Sequence, residues 1–152
     1  MSRTLPDSLQ TCKLTEHAWD AVYDTTVTSQ FSGDPYRRNF VVGEKSQHGP
    51  PNAYIYQYPS LTLEQTLEHG TEQAYSAAAF NQAGDRLATV GSYPDFMLTV
   101  WDWRSGCTLL RSKAFSQEVY CVSFCPYADG SLVTSGLISV VFWMPWRDTL
   151  RA

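Results

Sequence analysis

Charge is scarce in this 152-residue chain: Asp, Glu, Lys and Arg together make up 17%, below the roughly 25% of an average chain. No basic surplus exists either. The formal net charge is -4, with 5 basic and 9 acidic groups in residues 1–72 and 6 of each in residues 73–152. A protein that wraps a phosphate backbone needs a basic face, so nucleic-acid binding is disfavoured. Cysteine is limited to Cys12, Cys107, Cys121 and Cys125. That is sparse for a disulfide scaffold in a chain long enough to build a core. There is no Asn-x-Ser/Thr sequon, and the start, Met1-Ser2-Arg3-Thr4-Leu5-Pro6, has no apolar run of the signal-peptide kind. A reducing, cytosol-facing compartment is therefore expected. Only residues 130–146, 17 long and uncharged, approach the length of a membrane span. Ser131, Thr134, Ser135, Gly136, Ser139 and Pro145 interrupt them, which fits two short strands around a turn better.

Catalytic constellations are missing as well. Gly43-Glu44-Lys45-Ser46 superficially resembles the end of a phosphate-binding loop, but Glu44 breaks the Gly-Lys-Ser adjacency and no glycine stands five residues earlier. His17, His48 and His69 sit in polar, turn-like sequence, without His-x-x-x-His or His-Glu-x-x-His spacing. No Gly-x-Ser-x-Gly elbow is present to carry a serine nucleophile. Cys121 and Cys125 are four apart, so on a strand they would share a face. With no Cys-x-x-Cys pair to complete a metal site, they are expected to pack as small apolar residues. Asp95, Asp102 and Asp129 are expected to hold turns through neighbouring backbone rather than to act as acids or bases. No cofactor, metal or small-molecule substrate is expected.

What the chain does have is aromatic and apolar residues in short runs. Aromatics reach 14%, with five Trp, nine Tyr and seven Phe, and hydrophobic residues 43%. From Asn39 onward, runs rich in Val, Tyr, Trp and Phe alternate with turn clusters, the pattern of an all-β sandwich, barrel or propeller. Single-stranded nucleic acid could stack on such aromatics. Trp101, Trp103 and Trp143 fall on expected strands without basic neighbours, so they are assigned to the core.

A repeat selects among these architectures. Tyr75 and Tyr120 lie 45 apart, as do Leu87 and Leu132, Thr89 and Thr134, Gly91 and Gly136, and Tyr56 and Trp101. Phe80 and Phe124 are 44 apart, and Trp101 and Trp143 are 42 apart. The middle copy predicts strands at 75–80, 86–91, 98–103 and 107–111. The next copy predicts strands at 119–124, 131–136 and 139–143, with no convincing fourth. The first predicts 40–43, 53–58 and 61–67, its opening strand placed within 25–31. Four short antiparallel strands in 40–45 residues make one propeller blade. The fold class is thus all-β, a partial β-propeller of about two and a half four-stranded antiparallel blades. Residues 1–38 form a partly ordered lead-in, 39–146 the blades and 147–152 a tail.

Val100-Trp101-Asp102, closing the third strand of the unit, resembles the Trp-Asp signature of WD40 repeats. Asp95, six residues before Trp101, matches the tight-turn Asp of that family, and Thr89 its second-strand hydroxyl. The resemblance implies a buried hydrogen-bond network of these groups that pins the blade. The His of that network is absent. Its place falls on Thr71, after Gly70, with His69 one step off. In the next copy Leu137 stands at the Asp position and Phe115 at the His position, with Trp143 at the Trp position. Residues 54–61, 90–103 and 110–120 further resemble the N-terminal propeller of a family of large axonemal WD-repeat proteins. The resemblance spans roughly 39–136 and excludes 1–38 and 144–152, ends that read as an alternative transcript or a truncated product.

That resemblance implies a non-enzymatic scaffold of the ciliary or flagellar axoneme, part of a tether between an inner-arm dynein motor and the doublet microtubule. Its partners would be proteins, namely axonemal dynein-tether components and other WD-repeat proteins, with no nucleic acid, membrane or small molecule. Candidate partner-binding loops carry Tyr93 and Phe96 in one blade, and Phe115 and Glu118 between blades. The alternatives are a general WD40 adaptor without a ciliary role, a non-functional short isoform, or a thiol or metal enzyme built on Cys107, Cys121 and Cys125. Propellers usually close with four to eight blades. A chain of two to three blades is therefore expected to self-associate.

Overall fold

The computed structural model describes residues 32–33, 35–36, 38–46, 48–113, 117–127, 130–137 and 139–143. They form three antiparallel sheets in chain order. The first comprises β1 (Ser32–Gly33), β2 (Asn39–Gly43), β3 (Ala53–Gln57) and β4 (Leu63–Leu67). The second comprises β5 (Tyr75–Phe80), β6 (Arg86–Gly91), β7 (Met97–Asp102) and β8 (Cys107–Lys113). The third comprises β9 (Val119–Phe124), β10 (Leu132–Gly136) and β11 (Val140–Trp143). Each is an up-and-down meander, and β5 lies between β1 and β9, so the opening strands gather at one side. This is the partial WD40 propeller that the period implied. The uncharged run at 130–146 contributes β10 and β11, and no described helix is long and apolar enough to cross a membrane. The first sheet opens at Ser32, ahead of residue 39. The segment 25–31, where its opening strand was expected, lies outside the described residues, as do residues 1–24 and the 147–152 tail.

Register shows that the sequence period is a structural one. Leu87 pairs with Trp101 and Phe80, and Leu132 with Trp143 and Phe124. In the first sheet Phe40 pairs with Tyr56. Thr89 and Thr134 lie two residues along from Leu87 and Leu132 and so share their face. At the equivalent place in the first sheet stands Val42, which cannot accept a hydrogen bond. Tyr56 instead stacks on Phe40 with ring centroids 5.5 Å apart and planes at 23°.

The core has two layers, one between each pair of neighbouring sheets. Val41, Ala53, Ile55 and Leu67 of the first sheet meet Tyr75, Phe80, Leu87, Trp101 and Trp103. The opposite face of the middle sheet, Ala77, Ala88, Val90, Leu98 and Val100, meets Val119, Val122 and Leu132 of the third. Strands β6 and β7 are buried on both faces, so they read as apolar runs rather than alternating ones. Each large side chain buried this way contributes about 1.5–3 kcal/mol.

Candidate interaction surface

The antiparallel meanders place residues 44–46 and 48–52, the loop at 92–96 and residues 137 and 139 at one end of the blades, together with the connection at 68–74. The connection at 68–74 organises that end. Ser46 N–H donates to the Gln73 carbonyl at 2.8 Å, and Ser92 N–H to the Ala74 carbonyl at 2.8 Å. Lys45 also bridges Ala74. One connection thus fixes the loops of two sheets.

Asp95 completes the arrangement. Its carboxylate is buried, yet it accepts from the Thr71 hydroxyl at 2.8 Å and from the Glu72 N–H at 3.2 Å. Thr99 Oγ1 donates to the Gly70 carbonyl at 3.3 Å. The place of the missing His is therefore filled by a hydroxyl that reaches the same carboxylate. Only a close approach allows this. A Cβ on Gly91 would collide with the Thr71 side chain, which explains the glycine landmark at the end of the second strand. Deeper in the blade, Trp101 Nε1–H donates to Thr89 Oγ1 at 2.9 Å, and Thr89 Oγ1 donates on to the Thr99 carbonyl at 3.5 Å. The third sheet repeats the pair, Trp143 Nε1–H donating to Thr134 Oγ1 at 3.1 Å.

Asp102 belongs to the other end. Its carboxylate accepts from Ser105 N–H at 3.5 Å in the turn before β8, the local role expected of it. Asp95 differs from that expectation, because its partners lie 24 and 23 residues back in the inter-blade connection. Asp129 and Phe115 lie outside the described residues.

The fixed frame displays aromatic surface. Tyr93 is 66% exposed and rests edge-on against half-buried Phe96, centroids 6.2 Å apart and planes at 73°. Phe96 has φ +45° and donates its N–H to the Ser92 carbonyl at 3.1 Å. A left-handed Phe is costly and persists only where its surroundings over-determine it. Leu137 is exposed at the same end of the third sheet, and Glu118 is exposed just before β9. Tyr93, Phe96, Leu137 and Glu118 thus share one end of the blades, an arrangement able to present apolar anchors beside one acid. Leu137 escaped the sequence reading because it stood only for a missing Asp.

The thiols are not where packing logic put them. Cys107, Cys121 and Cys125 are free and exposed. Cys107 opens the outer strand β8, Cys121 lies on the outward face of β9, and Cys125 follows the end of β9, so the last two do not share a strand face. Among the described residues, no three His, Cys, Asp or Glu side chains gather as a metal would require. Burial holds Tyr75 well above the usual phenol range; it sits under the connection, its hydroxyl 3.5 Å from the Pro51 carbonyl.

No protein-family model matches the chain. Curated relatives do. Cilia- and flagella-associated protein 44 of Chlamydomonas reinhardtii is 53% identical over 114 residues, covering 72% of this chain. This chain is a WD-repeat chain that resembles part of cilia- and flagella-associated protein 44. The mouse protein of the same name is 43% identical over 109 residues, again 72% of this chain. Cilia- and flagella-associated protein 43 of Xenopus laevis is 31% identical over 127 residues, 82% of this chain. The chain spans only 6% of the length of either cilia- and flagella-associated protein 44, and 8% of the Xenopus relative.

Proposed function

We propose that this chain is a non-enzymatic protein-interaction scaffold of the ciliary or flagellar axoneme, docking through the blade end that carries Tyr93, Phe96, Leu137 and Glu118. The observation that carries the reading is the pairing of rigidity with exposure. Tyr93 stands in solvent on a loop whose base is held by the Asp95–Thr71 bond and the Ser92–Ala74 bond. A preset aromatic anchor loses little conformational freedom on binding, and that is how an interface hot spot works. The names of the relatives supply the ciliary setting. Within it we place the chain in a tether between an inner-arm dynein motor and the doublet microtubule, its partners being other tether components and WD-repeat proteins. Residues 39–146 act as the docking blades in this reading, with 1–38 and 147–152 flanking them.

The test is expression of the tagged chain in ciliated cells, followed by detergent and salt extraction of axonemes. Retention on the axoneme with dynein subunits co-purifying, and loss of both in Tyr93→Ala, is the expected result. Retention unaffected by Tyr93→Ala would move the docking surface elsewhere. A chain left soluble in the cell body would favour a general adaptor.

A further inference from the structure

A groove lies at the end of the blades that holds Asp102, opposite the end that carries Tyr93. Its floor is the turn between β5 and β6, at Gln82 and Ala83. Tyr36, between β1 and β2, walls one side, and Cys125, Pro126 and Tyr127, after β9, wall the other. The cavity is about 460 Å³, within the range of ligand sites. Floor and walls come from three sheets already packed on one another, so the groove is independent of what covers the outward face of the third sheet.

The frame of the groove is fixed. Asn81 Oδ1 accepts from the Asp85 and Arg86 N–H groups at 3.1 and 2.9 Å, and the Asn81 amide donates to the Asp85 carboxylate at 2.7 Å. Trp103 Nε1–H donates to the Gly84 carbonyl at 3.0 Å. Cys125 N–H donates to the Ser131 carbonyl at 2.9 Å and closes the third-sheet wall. Tyr36 rests on Gly84, where a Cβ would stand 3.5 Å from the Tyr36 Cδ2. From this frame the rings project: Tyr36 is 65% and Tyr127 96% exposed.

The lining selects its occupant. No charged side chain lines the groove, so a phosphorylated, acidic or basic segment meets no counter-ion there. Two tyrosine rings and Pro126 offer apolar contact. The Gln82 amide and the hydroxyls of Tyr36 and Tyr127, without partners among the described residues, offer donors. A polyproline II segment uses both kinds of group: its rings seek aromatic faces, and its carbonyls, which make no internal hydrogen bonds, seek donors. A strand would need a run of free strand backbone and a helix a long apolar trough; a groove built mainly of turns supplies neither.

We propose that this groove docks an uncharged, proline-rich peptide segment in the polyproline II conformation, seated between Tyr36 and Tyr127. The site is separate from the Tyr93 end of the blades, so either surface can fail its test without the other.

The experiment titrates the full chain with blocked decaproline, followed by calorimetry and by alkylation of Cys125. Saturable one-to-one binding is expected. Alkylation of Cys125 should slow at saturation, while Cys107, on β8 and outside the groove, keeps its rate. Tyr127→Ala, at a site too exposed to disturb the core, should raise the dissociation constant at least about tenfold. Tyr93→Ala should leave it unchanged. Absence of saturable binding overturns the proposal. So does binding that Tyr127→Ala leaves intact, or equal binding of a Gly-Ser peptide of the same length. Protection of Cys125 that grows with chain concentration before peptide is added also overturns it, because a second copy would then occupy the groove.

Discussion

The Thr71 hydroxyl donates to the Asp95 carboxylate at 2.8 Å, across 24 residues of chain, and both groups are buried. With the Glu72 N–H, which reaches the same carboxylate, it ties the inter-blade connection to the loop carrying Tyr93. Replacing Thr71 with Val keeps the volume and deletes the donor, leaving Asp95 only the Glu72 N–H. A buried carboxylate that loses a partner costs about 1–3 kcal/mol. Thr71→Val should lower the denaturant midpoint accordingly, while Thr71→Ser should recover most of it. Equal losses in the two variants would show that packing, not the hydroxyl, is what matters.

The two Trp–Thr pairs should differ in weight. Thr89 and Trp101 are both buried, whereas Trp143 is half-buried. Thr89→Val strands the Trp101 indole N–H in the core and should cost about 1–3 kcal/mol. Thr134→Val should cost less, because water can reach the Trp143 side. Equilibrium unfolding of the two variants in parallel checks the order; a larger loss at Thr134 would contradict it.

Much of this was legible in the sequence, and the reasons are specific. The 45-residue spacing of Leu87 and Leu132 and of Tyr56 and Trp101 reports register, because each holds the same pairing position in its own sheet: Leu87 opposite Trp101, Leu132 opposite Trp143 and Tyr56 opposite Phe40. A period in a stacked-blade fold is a contact pattern written along the chain. Thr71 was harder to read. It stood where a His was expected, and nothing local says that a shorter hydroxyl can reach Asp95. The reach depends on Gly91 letting the two segments approach, which is a tertiary fact. The exposed cysteines failed for a related reason. By register Cys121, opposite Ser135, takes the place that buried Ala77, opposite Val90, holds in the middle sheet, yet among the described residues no sheet covers it.

Alkali should unfold the protein through Tyr75. Burial holds its phenol above the ordinary value near 10, so between those two values the folded state keeps a proton that the unfolded state releases. Stability is therefore full below about pH 10 and falls above it, by up to about 1.4 kcal/mol per pH unit for this one group. Burial pushes Tyr54 and Tyr56 in the same direction. Denaturant midpoints between pH 9 and 11 should show the fall, and Tyr75→Phe should flatten it. An unchanged slope in that variant would place the titration elsewhere.

Gly91 offers the sharpest test of the network, because its cost depends on its neighbour. A Cβ at position 91 meets the Thr71 side chain at both Oγ1 and Cβ, and Asp95 Oδ1 at 2.9 Å. Gly91→Ala must therefore push Thr71 off Asp95, losing the hydrogen bond and straining the connection together, about 1–3 kcal/mol. Thr71→Ala removes the hydroxyl, the nearest atom that the new methyl would strike, and with it the bond that the methyl would break, although its Cβ still crowds the site. The double variant should then be more stable than the sum of the two single losses allows, by at least about 1 kcal/mol. At Gly136 the obstacle is the Glu118 carbonyl, a backbone atom that no side-chain substitution removes. Gly136→Ala should consequently add to Thr71→Ala without coupling. Strict additivity at Gly91 would mean that the approach of Thr71 to Asp95 does not set the need for glycine there.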